Sequence, residues 1–163
     1  MDKYPGKRLK GISWRTVRDA TGHPRSIQLV ELAELFRQPD IAWLNVQYGD
    51  YSADIAALAA LGLEPPWDDL SVDQTNDIDG LAAQLCAFDS LVSISNTTVH
   101  MAGALGVDAH LMLPKSRPVI WYWGYEGDHT PWYPSITIHR NKREDDWHDF
   151  AIELARDLRE NRR

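Results

Sequence analysis

The chain contains 163 residues, with 17 Lys and Arg against 24 Asp and Glu, so its formal net charge at pH 7 is −7. This length predicts a single domain over 1–163, with an ordered core of about 8–161. The negative charge excludes a general binder of nucleic acid, because affinity for phosphate chains depends on Lys and Arg. The single cysteine, Cys86, excludes an intramolecular disulfide framework. No apolar run reaches the roughly 18 residues of a membrane-spanning helix. Met1–Pro5 does not open a signal peptide, so we expect a cytoplasmic chain.

Short apolar runs rich in strand-forming residues recur along the sequence. They predict strands at Leu9–Trp14, Ile41–Gln47, Ser90–Ser95, Ala109–Leu113 and Ile136–His139. A further strand near Leu63–Trp67 is disfavoured by Pro65 and Pro66, because proline cannot donate to a strand ladder.

Helical stretches separate these strands. They are predicted at Ser26–Arg37, Ala53–Leu61, Asp77–Ala87, Thr97–Leu105 and, as a final helix, around Trp147–Leu158. Asp73, Asp77 and Asp79 are typical of helix N-terminal acids. The alternation predicts an α/β fold, a three-layer Rossmann-like parallel sheet with helices on both faces. Ligands of such folds bind at the carboxyl ends of the strands.

The segment Ser93–His100 offers the best candidate chemistry. A predicted strand ends there, and a helix begins with Asn96, Thr97 and Thr98. Free backbone N–H groups and the helix dipole favour an anion at such a position. A well-capped helix is the simpler interpretation of Ser95 or Asn96 alone.

Other polar residues follow the remaining strands. Ser13 and Arg15 end the first strand and open a polar loop, in which Pro24 and a capping Ser26 are expected to hold Arg25 beside the next helix. Gln47 has the hydrogen-bonding groups to read a base or ribose, although composition favours an ordinary amide at a strand end. Lys115 follows the Ala109–Leu113 strand.

Aromatic residues crowd the segment Trp121–Tyr125 and recur at Trp132. Packing is the more common role of such residues, and stacking on a sugar or base is the alternative. We expect these rings to be partly exposed and to face another domain. Cys86, in an Ala/Leu-rich helix, is expected to be a buried, inert thiol. The sequence has no P-loop, no Gly-x-Gly-x-x-Gly after the first strand and no metal-ligand histidine spacing.

The segment Phe88–Gly106 (F-D-S-L-V-S-I-S-N-T-T-V-H-M-A-G-A-L-G) is similar to the signature of the nucleotide-sugar domain in family-nine-like glycosyltransferases. That group includes the lipopolysaccharide heptosyltransferases and bacterial tetratricopeptide-repeat-linked transferases. The resemblance covers most of the chain, and blocks that match the repeat-linked proteins in order are Gly11–Arg15, Arg25–Ile27, Asn45–Asp50 and Thr130–Ser135.

The resemblance implies one half of a GT-B fold, the C-terminal domain that binds a nucleotide-diphosphate sugar. It puts the pyrophosphate contacts on Asn96, Thr97 and Thr98, and it aligns Arg25 with a basic residue of the heptosyltransferases. In the heptosyltransferase pattern, Asp-Thr-Gly/Ser-x-x-His, the Asp and Thr fall on Ser95 and Asn96 here. That departure argues against a heptose donor and leaves the sugar, the nucleobase and the acceptor open.

The resemblance also implies a separate N-terminal acceptor or repeat domain that supplies the catalytic base. We therefore assign no catalytic residue, no metal and no cofactor, and we expect the isolated domain to be inactive. The candidate substrate-binding residues are Ser13, Arg15, Arg25, Gln47, Ser95, Asn96, Thr97, Thr98, His100 and Lys115. The alternative function is a non-catalytic, degenerate glycosyltransferase-like binding or scaffold module. A flavodoxin-like regulatory domain is less favoured, because acidic residues do not end the first strand.

Overall fold

The computed structural model describes residues 4–16, 26–115, 121–143 and 146–160, and contains a single six-stranded parallel sheet. The strand order is β3-β2-β1-β4-β5-β6, and each neighbouring pair is parallel. The strands are β1 (Arg8–Ser13), β2 (Ile41–Asn45), β3 (Trp67–Asp68), β4 (Ser90–Ile94), β5 (Ala109–Leu113) and β6 (Ile136–Arg140). The predicted fold class is confirmed. β4 lies inside the sheet, between β1 and β5, and all five of its residues are buried, as expected of a strand covered on both faces.

Two helical layers cover the sheet. One core joins the sheet to a 3-10 helix (Leu29–Arg37), to α1 (Ser52–Ala60) and to α4 (His148–Glu160). The other core joins the opposite sheet face to α2 (Ile78–Cys86) and α3 (Thr97–Ala104). This three-layer arrangement follows from right-handed crossovers that run outwards in both directions from the centre of the sheet.

The first helix differs from its prediction. It begins at Leu29 rather than Ser26 and has 3-10 geometry. Ser26 does not cap it, because the Ser26 hydroxyl accepts a hydrogen bond from the backbone N–H of Thr16 (3.2 Å). The N–H of Ile27 donates to the carbonyl of Trp14 (2.9 Å), which keeps this segment extended beside β1. Glu31 instead accepts from the N–H of Gln28 (3.1 Å).

Small residues fit α3 closely against its neighbours. A Cβ added to Gly103 would lie 2.6 Å from the ring of Tyr133, so this position requires glycine for the observed approach. Gly106 has φ +72° just after the helix, the left-handed conformation that commonly ends helices.

Two other expectations have different outcomes. The disfavoured strand near Leu63–Trp67 exists only as the two-residue β3, which begins directly after Pro66. The prediction for Cys86 is wrong: its thiol belongs to an exposed residue on the outer side of α2. Within the described ranges, no helix has the length and apolar character needed to cross a membrane.

Candidate functional site

The strand order changes direction between β1 and β4. The chain leaves β1 towards β2 on one side, and leaves β4 towards β5 on the other. The connections diverge there, and a crevice at such a switch point is where open α/β sheets bind ligands. The carboxyl ends of β1 and β4 carry Ser13 and Ser95-Asn96, so the fold brings these predicted residues together.

Gln47 fastens the end of β1 to the segment after β2. Its side chain is buried, and its Oε1 accepts from Ser13 Oγ (3.2 Å) and from the backbone N–H groups of Trp14 (3.1 Å) and Arg15 (2.8 Å). Its Nε2 donates to the carbonyl of Tyr48 (2.8 Å). Through these bonds the side-chain amide of Gln47 holds the backbone after β1 against the segment after β2.

Asn96 makes the matching connection from β4. Its Nδ2 donates to Ser13 Oγ (2.8 Å), and its Oδ1 accepts from Ser93 Oγ (3.1 Å) and from the N–H of Val99 (3.2 Å). Asn96 is therefore the N-cap of α3 and a bridge across the switch point. We call Ser13, Gln47, Ser93 and Asn96 the switch-point network; all four side chains are buried.

The first turn of α3 opens beside this network. Thr97 is exposed, whereas Thr98 is buried. The first N–H groups of a helix lack intrahelical acceptors, and together with the dipole they attract negative charge. The capping bond to Asn96 engages the N–H of Val99.

The predicted cations are placed unequally. The guanidinium of Arg15 pairs with Asp54 of α1 (3.3 Å) and donates to the carbonyl of Asp50. Lys115 is exposed, two residues beyond β5. Arg25 lies outside the described residues.

Ser95 connects the crevice to an aromatic layer. Its Oγ accepts from Nε1 of Trp123 (2.8 Å). The indole of Trp123 stacks on the imidazole of His100, with ring centroids 4.8 Å apart and planes 23° apart. His100 Nδ1 lies 3.1 Å from the hydroxyl of Tyr133, and His100 Nε2 lies 3.3 Å from the hydroxyl of Tyr122. Burial lowers the pKa of His100, which keeps its ring neutral at pH 7.

These rings surround an open cavity of about 280 Å³, which we call the aromatic pocket. It is lined by His100, Trp121, Tyr122, Trp132 and Tyr133. Trp121 and Trp132 are 66% and 58% exposed, and Tyr125 nearby is 74% exposed, as the aromatic density predicts. The expectation is wrong for Trp123, which is fully buried because its N–H and ring both find partners.

Hydrogen bonds fix the segment that carries these rings. Arg140, at the end of β6, donates to the carbonyls of Trp123 (2.9 Å) and Gly127 (2.8 Å). Thr130 Oγ1 donates to the carbonyl of Tyr122 (3.0 Å). The two exposed tryptophans are therefore carried by a segment that is fixed from several sides.

A second buried polar cluster lies beneath α4, away from the crevice. His110 Nδ1 lies 3.0 Å from His139 Nε2, and Lys10 is bonded to Ser90 on the same sheet face. Burial, then the charges of His139 and Lys10, lower the pKa of His110 to about 3. Burial lowers the pKa of His139 also. In the described part of the chain, no three His, Cys, Asp or Glu residues are grouped to hold a metal ion.

Sequence reasoning missed the roles of Trp123, Thr130 and Arg140. The dense run at 121–125 signalled an aromatic feature, but only the fold shows that one of its tryptophans packs inwards on His100. Arg140 carried no signal, because a strand-end arginine is typical of an ordinary surface residue.

The fold and crevice together define a Rossmann-like α/β domain. The crystal structure of a glycosyl transferase family 9 protein from Veillonella parvula superposes on it with a TM-score of 0.54, over 95% of this chain and 39% of that chain. The two sequences are 12% identical, so the likeness is one of fold.

One curated relative is similar in sequence. Over 159 residues the chain is 29% identical to Protein FlbA of Caulobacter vibrioides, an alignment that covers 96% of this chain. The chain spans only 26% of the length of that relative. No protein-family model matches the chain.

Proposed function

We propose that this chain is the donor-binding domain of a glycosyltransferase and that it binds a nucleotide-diphosphate sugar at the start of α3. The observation that carries the proposal is the switch-point network, which bridges β1 and β4 and holds the first turn of α3 at the crevice. A crevice of this kind, with a helix N-terminus opening into it, is suited to a diphosphate.

The fold neighbour supports the same proposal. A glycosyl transferase family 9 protein contains the domain fold described above, and this chain matches 39% of it. We propose that the chain corresponds to one half of a GT-B enzyme of the kind that the Phe88–Gly106 signature resembles. Its acceptor domain would then be a separate part of the enzyme, and its compartment the cytoplasm.

The chemical contribution of this half would be electrostatic. When a glycosyl bond to a nucleotide diphosphate breaks, negative charge grows on the departing phosphate. The N–H groups and the side-chain hydroxyls of Thr97 and Thr98 would bind that charge, and the N–H groups are oriented before the reaction, so they stabilise it without rearrangement. The chain has a net charge of −7, so positive charge near the diphosphate would have to come from particular side chains. Arg25 and Lys115 would supply it.

Titration calorimetry of the whole chain with UDP, ADP and GDP tests this proposal. Replacement of both hydroxyls, in Thr97→Ala/Thr98→Val, should weaken nucleotide diphosphate binding by more than tenfold. Two hydrogen bonds to a charged group are worth about 3 kcal/mol or more, and about 1.4 kcal/mol is one factor of ten. Valine preserves the shape of the buried Thr98 side chain, so folding should be retained.

Thr75→Ala is a matched control, because Thr75 is an exposed threonine in a turn away from the crevice. Its nucleotide affinity should equal that of the wild-type chain. Arg25→Ala should also weaken binding, and more strongly at low salt, because its contribution is Coulombic. Equal binding by the double variant and the wild type would place the diphosphate elsewhere.

A non-catalytic binding or scaffold module is the second candidate function. One observation favours it: the polar groups of the switch-point network already have hydrogen-bond partners within the protein, and Arg15 is paired with Asp54. Such a crevice can persist for structural reasons alone. The scaffold hypothesis predicts no binding of any nucleotide diphosphate at millimolar concentration.

A further inference from the structure

The aromatic pocket is an open cavity whose role the diphosphate hypothesis leaves unexplained. Its volume of about 280 Å³ is at the lower edge of the roughly 300–1,000 Å³ typical of small-molecule sites. It therefore suits a single ring rather than a whole nucleotide. His100 belongs to its lining and lies on α3, one turn beyond Thr97, so the pocket adjoins the crevice.

The lining of this pocket carries no formal charge at pH 7. Four of its five residues are tryptophan or tyrosine, and the fifth, His100, is kept neutral by burial. An anion would find no counter-charge among these residues. The occupant that the lining favours is uncharged.

The polar atoms of the pocket come in complementary pairs. In neutral imidazole one ring nitrogen donates and the other accepts. One of the two tyrosine hydroxyls therefore accepts from His100 and keeps its own O–H free to donate. The other donates to His100 and keeps its lone pairs free to accept. The pocket thus offers both a donor and an acceptor, which is the pairing that vicinal sugar hydroxyls satisfy.

The shape of the pocket favours a sugar over a nucleobase sandwiched between two rings. The planes of Trp121 and Trp132 are 85° apart, with centroids at 6.1 Å. A flat base sandwiched between rings needs parallel walls, which this pair does not provide. A pyranose chair has an apolar C–H face and a rim of further C–H groups, so it can contact two perpendicular indoles at once.

We propose that the aromatic pocket binds one neutral pyranose ring, packed on Trp121 and Trp132 and hydrogen-bonded to the hydroxyls of Tyr122 and Tyr133. The binding itself does not depend on the diphosphate site. The source of the ring does rest on the proposed function: it is the sugar of a nucleotide-diphosphate sugar, or a residue of a separate glycan.

Indole N–H resonances of the whole chain provide the first measurement. The probes are the methyl glycosides of glucose, N-acetylglucosamine, galactose and mannose, with uridine, adenosine and guanosine as the competing class. At least one glycoside should shift the Trp121 and Trp132 signals at millimolar concentrations and leave the buried Trp123 signal in place. The proposal would be overturned if nucleosides shifted these signals and the glycosides did not. It would also be overturned if none of the glycosides shifted them.

Single substitutions test which aromatic side chains bind the glycoside. Trp132→Ala and Trp121→Ala should each weaken the glycoside by about three- to tenfold, the range expected for one stacked ring. Tyr125→Ala is the matched control, because Tyr125 is an exposed aromatic of the same segment that does not line the pocket. Equal loss in all three variants would contradict the assignment, provided that the Trp123 signal shows an intact fold in each.

Two further binding experiments identify whether the pyranose ring belongs to a nucleotide-diphosphate sugar or to a glycan. If it belongs to a donor, Trp132→Ala weakens binding of UDP-N-acetylglucosamine or UDP-glucose but leaves UDP unchanged. If it belongs to a glycan, the glycoside binds with the same affinity in the presence of saturating UDP-N-acetylglucosamine or UDP-glucose, whereas the sugar of a donor would compete with it. A chain that binds glycosides but no nucleotide diphosphate would refute the proposed function and retain the pocket. A chain that binds UDP but no glycoside would do the reverse.

Discussion

The switch-point network and the aromatic pocket are neighbours, yet their chemistry is opposite. In the network the side chains are buried and bond to one another and to backbone groups, so they fix the backbone around the crevice. In the pocket the backbone is fixed from outside by Arg140 and Thr130, and two indoles remain open to solvent. The network therefore holds the backbone around the crevice, whereas the pocket exposes aromatic side chains that a ligand can contact.

Two tryptophans give the sharpest contrast, and the largest expected effect. Trp123→Ala should lower the free energy of unfolding by about 3–5 kcal/mol, because it empties a fully buried site. Trp132→Ala should lower it by less than about 1 kcal/mol, because the ring is mostly exposed. Urea unfolding of both variants measures the difference, and equal losses would show that Trp132 is a structural residue.

Asn96 tests whether the network is structural. Asn96→Ala removes the hydrogen bonds that Asn96 makes with Ser13 Oγ, Ser93 Oγ and the N–H of Val99, so we expect a loss of about 2–4 kcal/mol in urea unfolding. Asn76→Ala is the control, because Asn76 is exposed and bonds only within its own turn. It should cost less than about 1 kcal/mol. A small effect at Asn96 would mean that the crevice holds its shape without the bridge.

The network contains no ionisable group, so pH dependence must come from elsewhere, and the buried His110 is one contributor. Its pKa of about 3 in the folded chain lies below the ordinary value of 6.5, so the unfolded chain binds the extra proton. Its stabilising contribution is complete above 6.5 and is lost as pH falls from there towards 3.

The expected slope is about 1.4 kcal/mol per pH unit for one proton. His139 and Lys10 are neighbours whose charges also disfavour the imidazolium, while Asp108 and Asp157 lie on the other sides of the pair. Urea midpoints at about pH 7 and pH 5 measure the slope. His110→Gln should flatten it, and an unchanged slope would assign the proton to another group.

Arg140 should produce the most local structural change. Arg140→Gln removes the guanidinium that binds the carbonyls of Trp123 and Gly127, at an expected cost of about 1–2 kcal/mol. The indole signals of Trp121 and Trp132 should broaden or shift, because the segment that carries these residues loses the hydrogen bonds from Arg140. Nucleotide binding at α3 should be retained. A variant that loses nucleotide binding equally would show that the pocket and the crevice are one rigid unit.

Most of the sheet was predictable because each strand is a short apolar run between polar turns, and the predicted Ala109–Leu113 strand is reproduced residue for residue. The start of the first helix was not, because Ser26 has the chemistry of a cap but bonds to Thr16 across a loop. Cys86 was misjudged for a similar reason. An Ala/Leu-rich helix leaves the buried face ambiguous until its packing partner is known.

For the candidate site, the sequence identified residues but not their roles. Ser13, Asn96 and Gln47 were each candidates for ligand contact, and all three turn out to bond within the network. Strand order decides this, since it makes β1 the neighbour of both β2 and β4. A linear pattern does not contain that information.

The two borders of the sheet have a consequence for self-association. An exposed ladder of N–H and C=O groups invites strand addition from another molecule. On one border, β3 is only two residues long and is preceded by Pro65 and Pro66, so it offers almost no template. On the other, the N–H of Ile138 in β6 is already engaged by the carbonyl of Asp128 (2.7 Å). A sheet protected in this way at both margins resists edge-to-edge aggregation at high concentration.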